Sequence, residues 1–300
     1  MSDTLQLDKR QRAMLAEMGV RVWTPIEPVE PLRAPTNVSE KASEANSAFL
    51  PKIPTTNTPT TSVYKASVEA TGAIADKPKA FEVNTQAANN LDWPSLREAV
   101  TNCQACGLCT SRRNTVFGTG SHVTTSLANA EIQAVDWLIV GEAPGENEDA
   151  EGEPFVGQAG QLLDNMLRAM QLSRTGELSS ESKSQQSIFI TNVLKCRPPG
   201  NRNPTPQEVA QCMPYLQRQI DLLQPKIILA MGRFAAQALL RDSIDKVDTI
   251  PLGKLRGQVH RMGNAPVVVT YHPAYVLRNL PEKAKLWADA CLAMATLNHL

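Results

Sequence analysis

The chain has 300 residues, of which 42% are hydrophobic, so it holds enough apolar material for a real core. Lys plus Arg and Asp plus Glu number 30 each, so the formal net charge is zero and any site for a polyanion must be a local patch. The sequence contains no long apolar run typical of a membrane span, and its start carries acids and lacks the apolar segment of a secretory signal, so we expect a cytoplasmic protein. We also expect a monomer.

The first 90 residues predict a short helix and a long linker. Apolar residues recur at roughly helical spacing in residues 5–19, and we favour a helix that packs on the protein's own core over one that binds a partner protein. Residues 25–90 are rich in Pro, Thr, Ser, Ala and Asn and have few aromatic residues, so they cannot bury enough surface to order themselves. The predicted organisation is therefore an N-terminal segment (1–24), a disordered linker (25–90) and a folded domain (91–300).

Within the folded domain, apolar runs rich in β-formers alternate with helical patterns. A helix beginning near Trp93, with Asp92 as its N-cap, leads to the first cysteines. Near-continuous apolar strands imply a sheet covered on both faces, and the alternation predicts a three-layer α/β fold with a mainly parallel sheet. The hydrophilic segment 173–187 is predicted to be a surface insertion without catalytic importance. Strands are predicted at 134–141, 187–195, 225–232 and 265–273, and further helices at 157–170, 205–223, 233–240 and 281–300.

Three of the six cysteines crowd into seven residues, where mutual disulfides would be strained. In a reducing compartment this clustering indicates metal ligation. Cys103 and Cys106 form a CxxC pair, and Cys196 and Cys212 form a second pair separated by fifteen residues. Because structural zinc more often joins two CxxC pairs, the wide second pair favours iron and sulfur.

A second ligand set uses Cys109. Cys103, Cys106 and Cys109 follow the CxxCxxC spacing of ferredoxins and could be completed by either later cysteine, which the spacing alone does not exclude. The later cysteines could also be small core residues, and this is the interpretation we favour for Cys291, in the middle of the last helix.

Polar and glycine-rich segments follow three of the four predicted strands, at the sheet edge where α/β proteins bind ligands. The first of them, GEAPGENED, contains Gly141, Glu142, Ala143 and Glu148, and it lacks both the dinucleotide-binding and the P-loop glycine patterns. Phe155, which follows this loop, is either a core residue or a platform on which a planar ligand stacks.

Two further side chains stand at strand ends. Asn192 lies in an apolar strand, where a buried amide could present a donor and an acceptor to a base edge or be satisfied by neighbouring backbone. His272 could donate a hydrogen bond to a developing anion, although a single histidine is more often structural. Basic residues near the same edge predict a local phosphate-binding track, namely Lys195, Arg197, Arg202, Arg278, Lys283 and Lys285.

Three ordered motifs resemble family 4 uracil-DNA glycosylases, the iron–sulfur branch of that superfamily. They are GEAPGENEDAEGEPFVGQAGQLLDNML, ITNVLKCRPPGNRNPTPQEVAQC and TYHPAYVLR, and with the cysteine spacing the likeness covers about Asp92 to the C-terminus. The resemblance implies a four-stranded parallel sheet between helices and hydrolysis of the bond between uracil and deoxyribose in single- or double-stranded DNA. It also implies a 4Fe-4S cluster held by Cys103, Cys106, Cys196 and Cys212.

The resemblance also implies roles for the strand-end residues. A uracil extruded from the DNA would stack on Phe155, be read at its Watson–Crick edge by Asn192 and be screened against thymine by Glu148. His272 would donate to the uracil oxygen, and Glu142 is the candidate for positioning water or stabilising the sugar cation. Other glycosylase branches have an aspartate where Ala143 stands, so the general base is not assigned. Gly141 and Ala143 are expected to contact uracil through their backbone, and Lys195, Arg197, Arg202, Leu277 and Arg278 are expected to contact DNA, the last two from a loop that wedges into the duplex.

Two other functions compete with a repair enzyme acting at the nucleoid. One is a catalytically silent protein on the same iron–sulfur scaffold that binds nucleic acid or recruits a partner through the N-terminal helix. The other is a ferredoxin-like electron carrier, which has no need for a base-stacking aromatic, a pocket asparagine and a histidine on adjacent strand ends.

Overall fold

The computed structural model describes residues 88–120, 134–175 and 186–300. The strands are β1 (Thr119–Gly120), β2 (Trp137–Gly141), β3 (Ile188–Asn192), β4 (Ile227–Met231), β5 (Val259–Met262) and β6 (Ala265–Thr270). The helices are α1 (Trp93–Thr101), α2 (Glu146–Glu151), α3 (Gln158–Ala169), α4 (Pro206–Leu223), α5 (Arg233–Leu240), α6 (Leu252–Leu255), α7 (Pro273–Arg278) and α8 (Lys283–Asn298). In these three ranges, none of the helices has the length and apolar character needed to traverse a lipid bilayer.

Two helices begin at the caps that their sequences predict. Asp92 accepts a hydrogen bond from the Ser95 amide at 2.9 Å and starts α1. At the start of α4, the Glu208 amide donates to the Thr205 hydroxyl at 3.3 Å and the Glu208 carboxylate accepts from the Thr205 amide at 2.8 Å. This reciprocal pair is the predicted capping box, and it fixes the helix that carries Cys212.

The strands form one six-stranded sheet in the order β1-β3-β2-β4-β6-β5. The four central strands are parallel and correspond to the four predicted runs, so the α/β class and the parallel core are confirmed. The edge strands β1 and β5 pair antiparallel and make the sheet larger than the predicted four strands. Sequence patterning missed them because β1 has only two residues and β5 alternates between exposed and half-buried positions.

Both faces of the sheet are covered, as the continuous apolar strands predicted. Leu138 and Val140 of β2 belong to a hydrophobic cluster that includes residues of α1, α4 and α5. Trp137 and Ile139, which point the other way, belong to a second cluster with residues of α3 and α8. The sheet therefore lies between two helical layers, with its strand ends free to form a binding edge.

The predicted N-terminal helix and nearly all of the predicted linker lie outside the described residues, and so does the middle of the segment 173–187. The folded part includes residues just before the predicted boundary at 91. Ala88 is buried, and its carbonyl accepts a hydrogen bond from the Leu91 amide at 3.3 Å.

Candidate active site and cysteine cavity

A cavity of about 620 Å³ lies beyond the carboxyl ends of the central strands. Glu142 follows β2, Asn192 ends β3, Arg233 follows β4 and His272 follows β6, and all four line this cavity. The segments that the sequence placed at one sheet edge therefore do converge. Ala143, Glu148, Phe155, Arg202 and Arg278 also line it, as expected for a site formed there.

Phe155 forms a rigid wall of the cavity. Its ring stacks near that of His272, with centroids 5.5 Å apart and planes 25° apart. Its φ of 55° is unusual for a residue with a side chain, so its surroundings must hold it. Arg174 does so by donating to the carbonyl of Phe155 at 3.0 Å and to the preceding carbonyl at 2.9 Å, while it pairs with Asp164. A β-carbon at Gly160 would overlap the Phe155 carbonyl, so only glycine fits there.

The contact made by Arg174 was not expected from the sequence. The segment 173–187 was predicted to be a surface insertion without catalytic importance, and its second residue holds the backbone of Phe155 at the cavity. The composition of the segment is hydrophilic and gives no sign of this contact, because the partners are backbone carbonyls about twenty residues earlier in the chain. The lack of catalytic importance stays a prediction.

Asn192 is buried at the end of β3 with its amide at the cavity. Its side-chain oxygen has no hydrogen-bond partner among the described residues, which is costly for a buried polar atom unless a ligand supplies one. Gly141 lies next to it: a β-carbon there would collide with the Asn192 oxygen and the Phe155 ring. Gly141 does not line the cavity itself. Because it has no side chain, it allows Asn192 and Phe155 to approach each other closely.

His272 is held as a neutral donor. It caps α7, and its Nδ1 accepts the Ala274 amide at 3.2 Å, which places the proton of the neutral ring on Nε2. The pKa of His272 is lowered to about 4, first by burial and then by the charge of Arg278, while Glu148 opposes both. The ring is therefore uncharged near neutral pH, with its Nε2–H available to a ligand.

Glu142 has the opposite shift. Burial raises the pKa of Glu142 to about 7, and the positive charge of Arg233 limits the rise. Arg233 was not predicted from the sequence. It directly follows Gly232 at the end of a predicted strand, and a position just after a strand is the signal by which other site residues were found. The cavity thus contains a carboxyl group that titrates near neutrality beside a guanidinium.

Glu148 ties the loop after β2 to the segment that follows Phe155. One carboxylate oxygen accepts from the Gly145 amide at 3.0 Å, and the other accepts from the amides of Val156 and Gly157 at 3.1 and 3.3 Å. This carboxylate therefore fixes the relative position of two cavity walls. Its predicted exclusion of thymine stays a prediction.

The predicted phosphate-binding track is only partly available. Arg197 pairs with Glu146 at 3.4 Å, and Arg202 forms a two-pronged ion pair with Glu208 at 2.6 and 2.9 Å. Arg278 is exposed and lines the cavity, and none of the hydrogen bonds or ion pairs found in the described ranges involves it. Arg278 is therefore the predicted DNA contact that the geometry supports best.

The prediction for Lys195 was wrong. Its side chain is 2% exposed, and its ammonium bonds to groups inside the domain. It cannot reach a DNA phosphate without leaving the core. The sequence suggested otherwise because Lys195 stands beside Arg197 in a polar segment.

The helix α7 also presents different residues from those expected. Leu277 packs against the hydrophobic cluster of α3 and α8. Tyr275 is 39% exposed, lines the cavity and lies 5.0 Å from the ring of Tyr271, which in turn packs on Arg256. The exposed aromatic at this rim is therefore Tyr275, and it is the better candidate for a base contact.

A second cavity collects the cysteines. Cys103, Cys106, Cys109, Cys196 and Cys212 all line it, and all are free thiols. Both ligand sets considered from the sequence therefore reach the same space. Cys291 packs elsewhere, against the cluster of α3 and α8.

The lining of this second cavity is compatible with a metal centre. Its five free thiols are the kind of donor that iron–sulfur clusters use, although in the described ranges no group of three or more His, Cys, Asp or Glu side chains is arranged to hold a single metal ion. Burial raises the pKa of Cys212 to about 12, so a metal that binds this thiol must displace its proton. Arg112 donates to the sulfur of Cys196 at 3.1 Å, as outer groups around a metal centre do.

Comparison with known proteins agrees with this geometry. Residues 130–293 match the family model described as the uracil DNA glycosylase superfamily. The type-4 uracil-DNA glycosylase of Pyrobaculum aerophilum is 40% identical over 206 residues, which are 67% of this chain and 93% of that protein. The enzyme of the same name from Saccharolobus solfataricus is 38% identical over 205 residues, 67% of this chain and 83% of its own. That from Archaeoglobus fulgidus is 40% identical over 182 residues, 59% of this chain and 79% of its own.

Proposed function

The chain belongs to the uracil DNA glycosylase superfamily, and from this premise we propose that it hydrolyses the bond between uracil and deoxyribose in DNA. The observation that carries the proposal is the buried Asn192 amide oxygen, which lacks a partner in the described structure and borders the same cavity as Phe155 and His272. A planar base that both stacks and forms hydrogen bonds at its edge meets these needs.

The substrate would enter the cavity as an extruded nucleotide, because the reacting bond is inaccessible inside a stacked duplex. Phe155 would support one face of the uracil ring, and the Asn192 amide would read its edge. The fixed position of Phe155, held by Arg174, supports this arrangement because little movement is needed on binding.

His272 would stabilise the leaving group. As the bond between C1′ and N1 breaks, its electron pair passes to uracil, and the uracil oxygen becomes anionic. The neutral His272 ring can donate its Nε2–H to that oxygen, a contribution worth about 3 kcal/mol for one well-placed donor. Arg278, whose charge lowers the pKa of this histidine, helps to keep the ring neutral.

Glu142 would act at the sugar. In its ionised form it can stabilise the positive charge that develops on the deoxyribose and orient the water that attacks C1′. The water forms a bond from its oxygen to C1′ and loses one proton, which neutralises the departing uracil anion, so the products are uracil and an abasic sugar. Arg233 supports this role because its charge favours the ionised carboxylate.

For the cofactor, we propose a 4Fe-4S cluster held by Cys103, Cys106, Cys196 and Cys212. When bound, it would cross-link the end of α1 to the loop after β3 and to α4, and no electron transfer is required for hydrolysis. Cys109 is then a neighbour of the cluster without being a ligand. Cys196 lies four residues after Asn192, so the ligands would brace the base pocket.

A strand-cleavage assay tests the activity. Purified protein with its cofactor is incubated with matched oligonucleotides that contain one uracil, thymine or cytosine, single-stranded and paired, and alkali then cleaves at abasic sites. We expect cleavage at uracil alone. If uracil-containing strands of both kinds remain intact while the protein still binds them, a silent nucleic-acid-binding protein is the correct interpretation.

A further inference from the structure

Lys195 occupies an unusual position, and the proposed chemistry leaves it without a role. Fully buried lysines are rare unless they are paired with a carboxylate. Here the ammonium nitrogen bonds instead to three neutral groups: the Thr191 hydroxyl, the Asn192 main-chain carbonyl and the Gln219 side-chain oxygen, each at 2.7 Å.

The geometry identifies all three partners as acceptors. The Thr191 hydroxyl gives its proton to the Phe117 carbonyl at 2.8 Å, so towards Lys195 it can only accept. The Gln219 amide donates through nitrogen to the same carbonyl at 3.0 Å, which leaves its oxygen facing Lys195. A charged lysine has three N–H donors, one for each of these acceptors, and these hydrogen bonds oppose the lowering of the Lys195 pKa that burial causes.

The backbone of Lys195 is held by hydrogen bonds as well as its side chain. Its backbone amide is hydrogen-bonded to Cys212, and its carbonyl accepts from the Val116 amide at 2.8 Å. From this backbone beside the cysteine cavity, the side chain reaches back to the carbonyl of Asn192. Thiolate ligands at Cys196 and Cys212 would balance the buried positive charge when the cluster is bound.

The chain that directly follows β3 is also hydrogen-bonded to the start of the loop after β2, which contains Glu142. The amide of Val193 donates to the Gly141 carbonyl at 3.0 Å, and the amide of Leu194 donates to the Glu142 carbonyl at 3.1 Å. A shift of the Asn192 main chain would therefore move the base-reading amide and loosen the loop beside it. A displacement of about 1 Å in such a site can cost about 100-fold in rate.

We propose that Lys195 is a positioning residue that ties the end of β3, through Thr191 and Asn192, to Gln219 of α4 and thereby fixes the Asn192 amide. The inference rests on the proposed glycosylase function, since Asn192 acquires its task from that reaction. Under this proposal Lys195 contributes to base recognition through Asn192, although it contacts neither the substrate nor the DNA.

The test combines a double-mutant cycle with hydrogen exchange. Lys195→Met removes the ammonium at similar length, and Thr191→Val removes one acceptor as a milder second variant that keeps the core volume. Lys226→Met is the matched control, because this lysine is exposed and pairs with Asp136 away from the cavity. Each is made in the wild type and in an Asn192→Ala background, and the visible absorbance of each is compared to confirm equal cluster content.

We expect kcat of Lys195→Met to fall about 100-fold with KM for the oligonucleotide changed by no more than about twofold, since the DNA contacts lie elsewhere. The same substitution should have an effect about tenfold smaller when Asn192 is already alanine, because the two residues act as a unit. The amides of Val193 and Leu194 should exchange faster in both Lys195→Met and Thr191→Val. The control should match the wild type in every respect.

Two results would overturn the inference. One is a full effect of Lys195→Met in the Asn192→Ala background, and the other is unchanged exchange at Val193 and Leu194 in both variants. If Lys195→Met does not fold, Thr191→Val carries the same comparison. An inactive wild type would refute the proposed function, whereas the exchange measurement would still decide whether the network holds the strand end.

Discussion

Burial acts on the two ionisable side chains of the cavity in opposite directions. It raises the pKa of Glu142 to about 7 and lowers that of His272 to about 4. Above pH 7, therefore, an ionised carboxylate and a neutral imidazole coexist in one cavity. The ionised carboxylate is the form needed to stabilise a sugar cation, and the neutral imidazole can donate a hydrogen bond to a uracil anion.

The pH dependence of the reaction follows from Glu142. Its carboxylate is the active form, so kcat/KM should fall as the pH drops through about 7, and His272 should remain neutral over this range. In Glu142→Gln the rate should be about 100-fold lower, and the loss of rate on the acidic side should disappear. Rate measurements between pH 5 and 9 check this, with the exposed Glu151→Gln as control. An acidic limb that persists in Glu142→Gln would assign the titration to another group.

At single residues, strand-end position predicted Phe155, Asn192 and His272 correctly as neighbours of one cavity. It failed for Lys195 and gave no sign of the Arg174 contacts, because the partners of both side chains are backbone carbonyls and side chains that only the folded chain brings near. Hydrophilicity in the sequence does not distinguish a side chain that faces solvent from one that satisfies buried acceptors.

Among the elements, the rotation of α7 decides which of its residues line the cavity. Helical periodicity buries Val276 and turns Leu277 toward the core, while Tyr275 and Arg278 face out. The resemblance described Pro273 to Arg278 as a loop that wedges into duplex DNA, whereas the structure forms a helix there. The rotation of this helix depends on what α7 packs against, which residue identities alone do not give.

Substitutions on α7 test whether Tyr275 or Leu277 is the residue that contacts a base. Tyr275→Ala should lower kcat/KM on duplex DNA by about tenfold, because one base stacked on an aromatic ring is worth about 1–3 kcal/mol, and Tyr275→Phe should retain the rate. Leu277→Ala should instead lower the melting temperature, since it removes packing from the core. Glycosylase rates and thermal unfolding of the same preparations provide the comparison. A larger rate loss in Leu277→Ala than in Tyr275→Ala, at equal stability, would restore leucine as the wedge.

The proposed iron–sulfur cluster would add a connection between the elements that meet at the cysteine cavity. Cys212→Ser should remove the visible absorbance of the purified protein and lower the melting temperature by about 5 °C or more, because a bond between α4 and the loop after β3 is lost. Cys291→Ser is the control, and it should keep both properties. If Cys109→Ser bleaches the protein and Cys212→Ser does not, the ferredoxin-like ligand set is correct.

For the whole molecule, the sequence predicted the class, the parallel core and the edge of the sheet that carries the site. Long apolar strands such as Trp137–Gly141 carry a strong signal because both their faces are buried. The edge strands could not be predicted in the same way, since Thr119–Gly120 and Val259–Met262 depend on pairing with β3 and β6 more than on their own composition.

The described fold predicts where the chain can be cut. Removing residues 1–87 should leave kcat/KM on short oligonucleotides within about twofold of the full chain, because every residue that lines the proposed active site lies between Glu142 and Arg278 and the cut keeps the buried Ala88. A cut after residue 96 should destabilise the domain, since it removes Trp93, whose ring packs 5.0 Å from Phe117 and 5.2 Å from Phe189. Activity and thermal unfolding of both truncations check this, and an inactive 88–300 fragment would give the N-terminal region a part in catalysis.

The most direct test is mass spectrometry of the reaction products. A single-uracil oligonucleotide is incubated with the wild type and with His272→Ala, and the strand and the released base are both weighed. We predict free uracil and an abasic strand in equal amounts from the wild type, and a rate lower by about 100-fold from His272→Ala while DNA binding persists. A wild type that binds the oligonucleotide and releases no uracil would contradict the account.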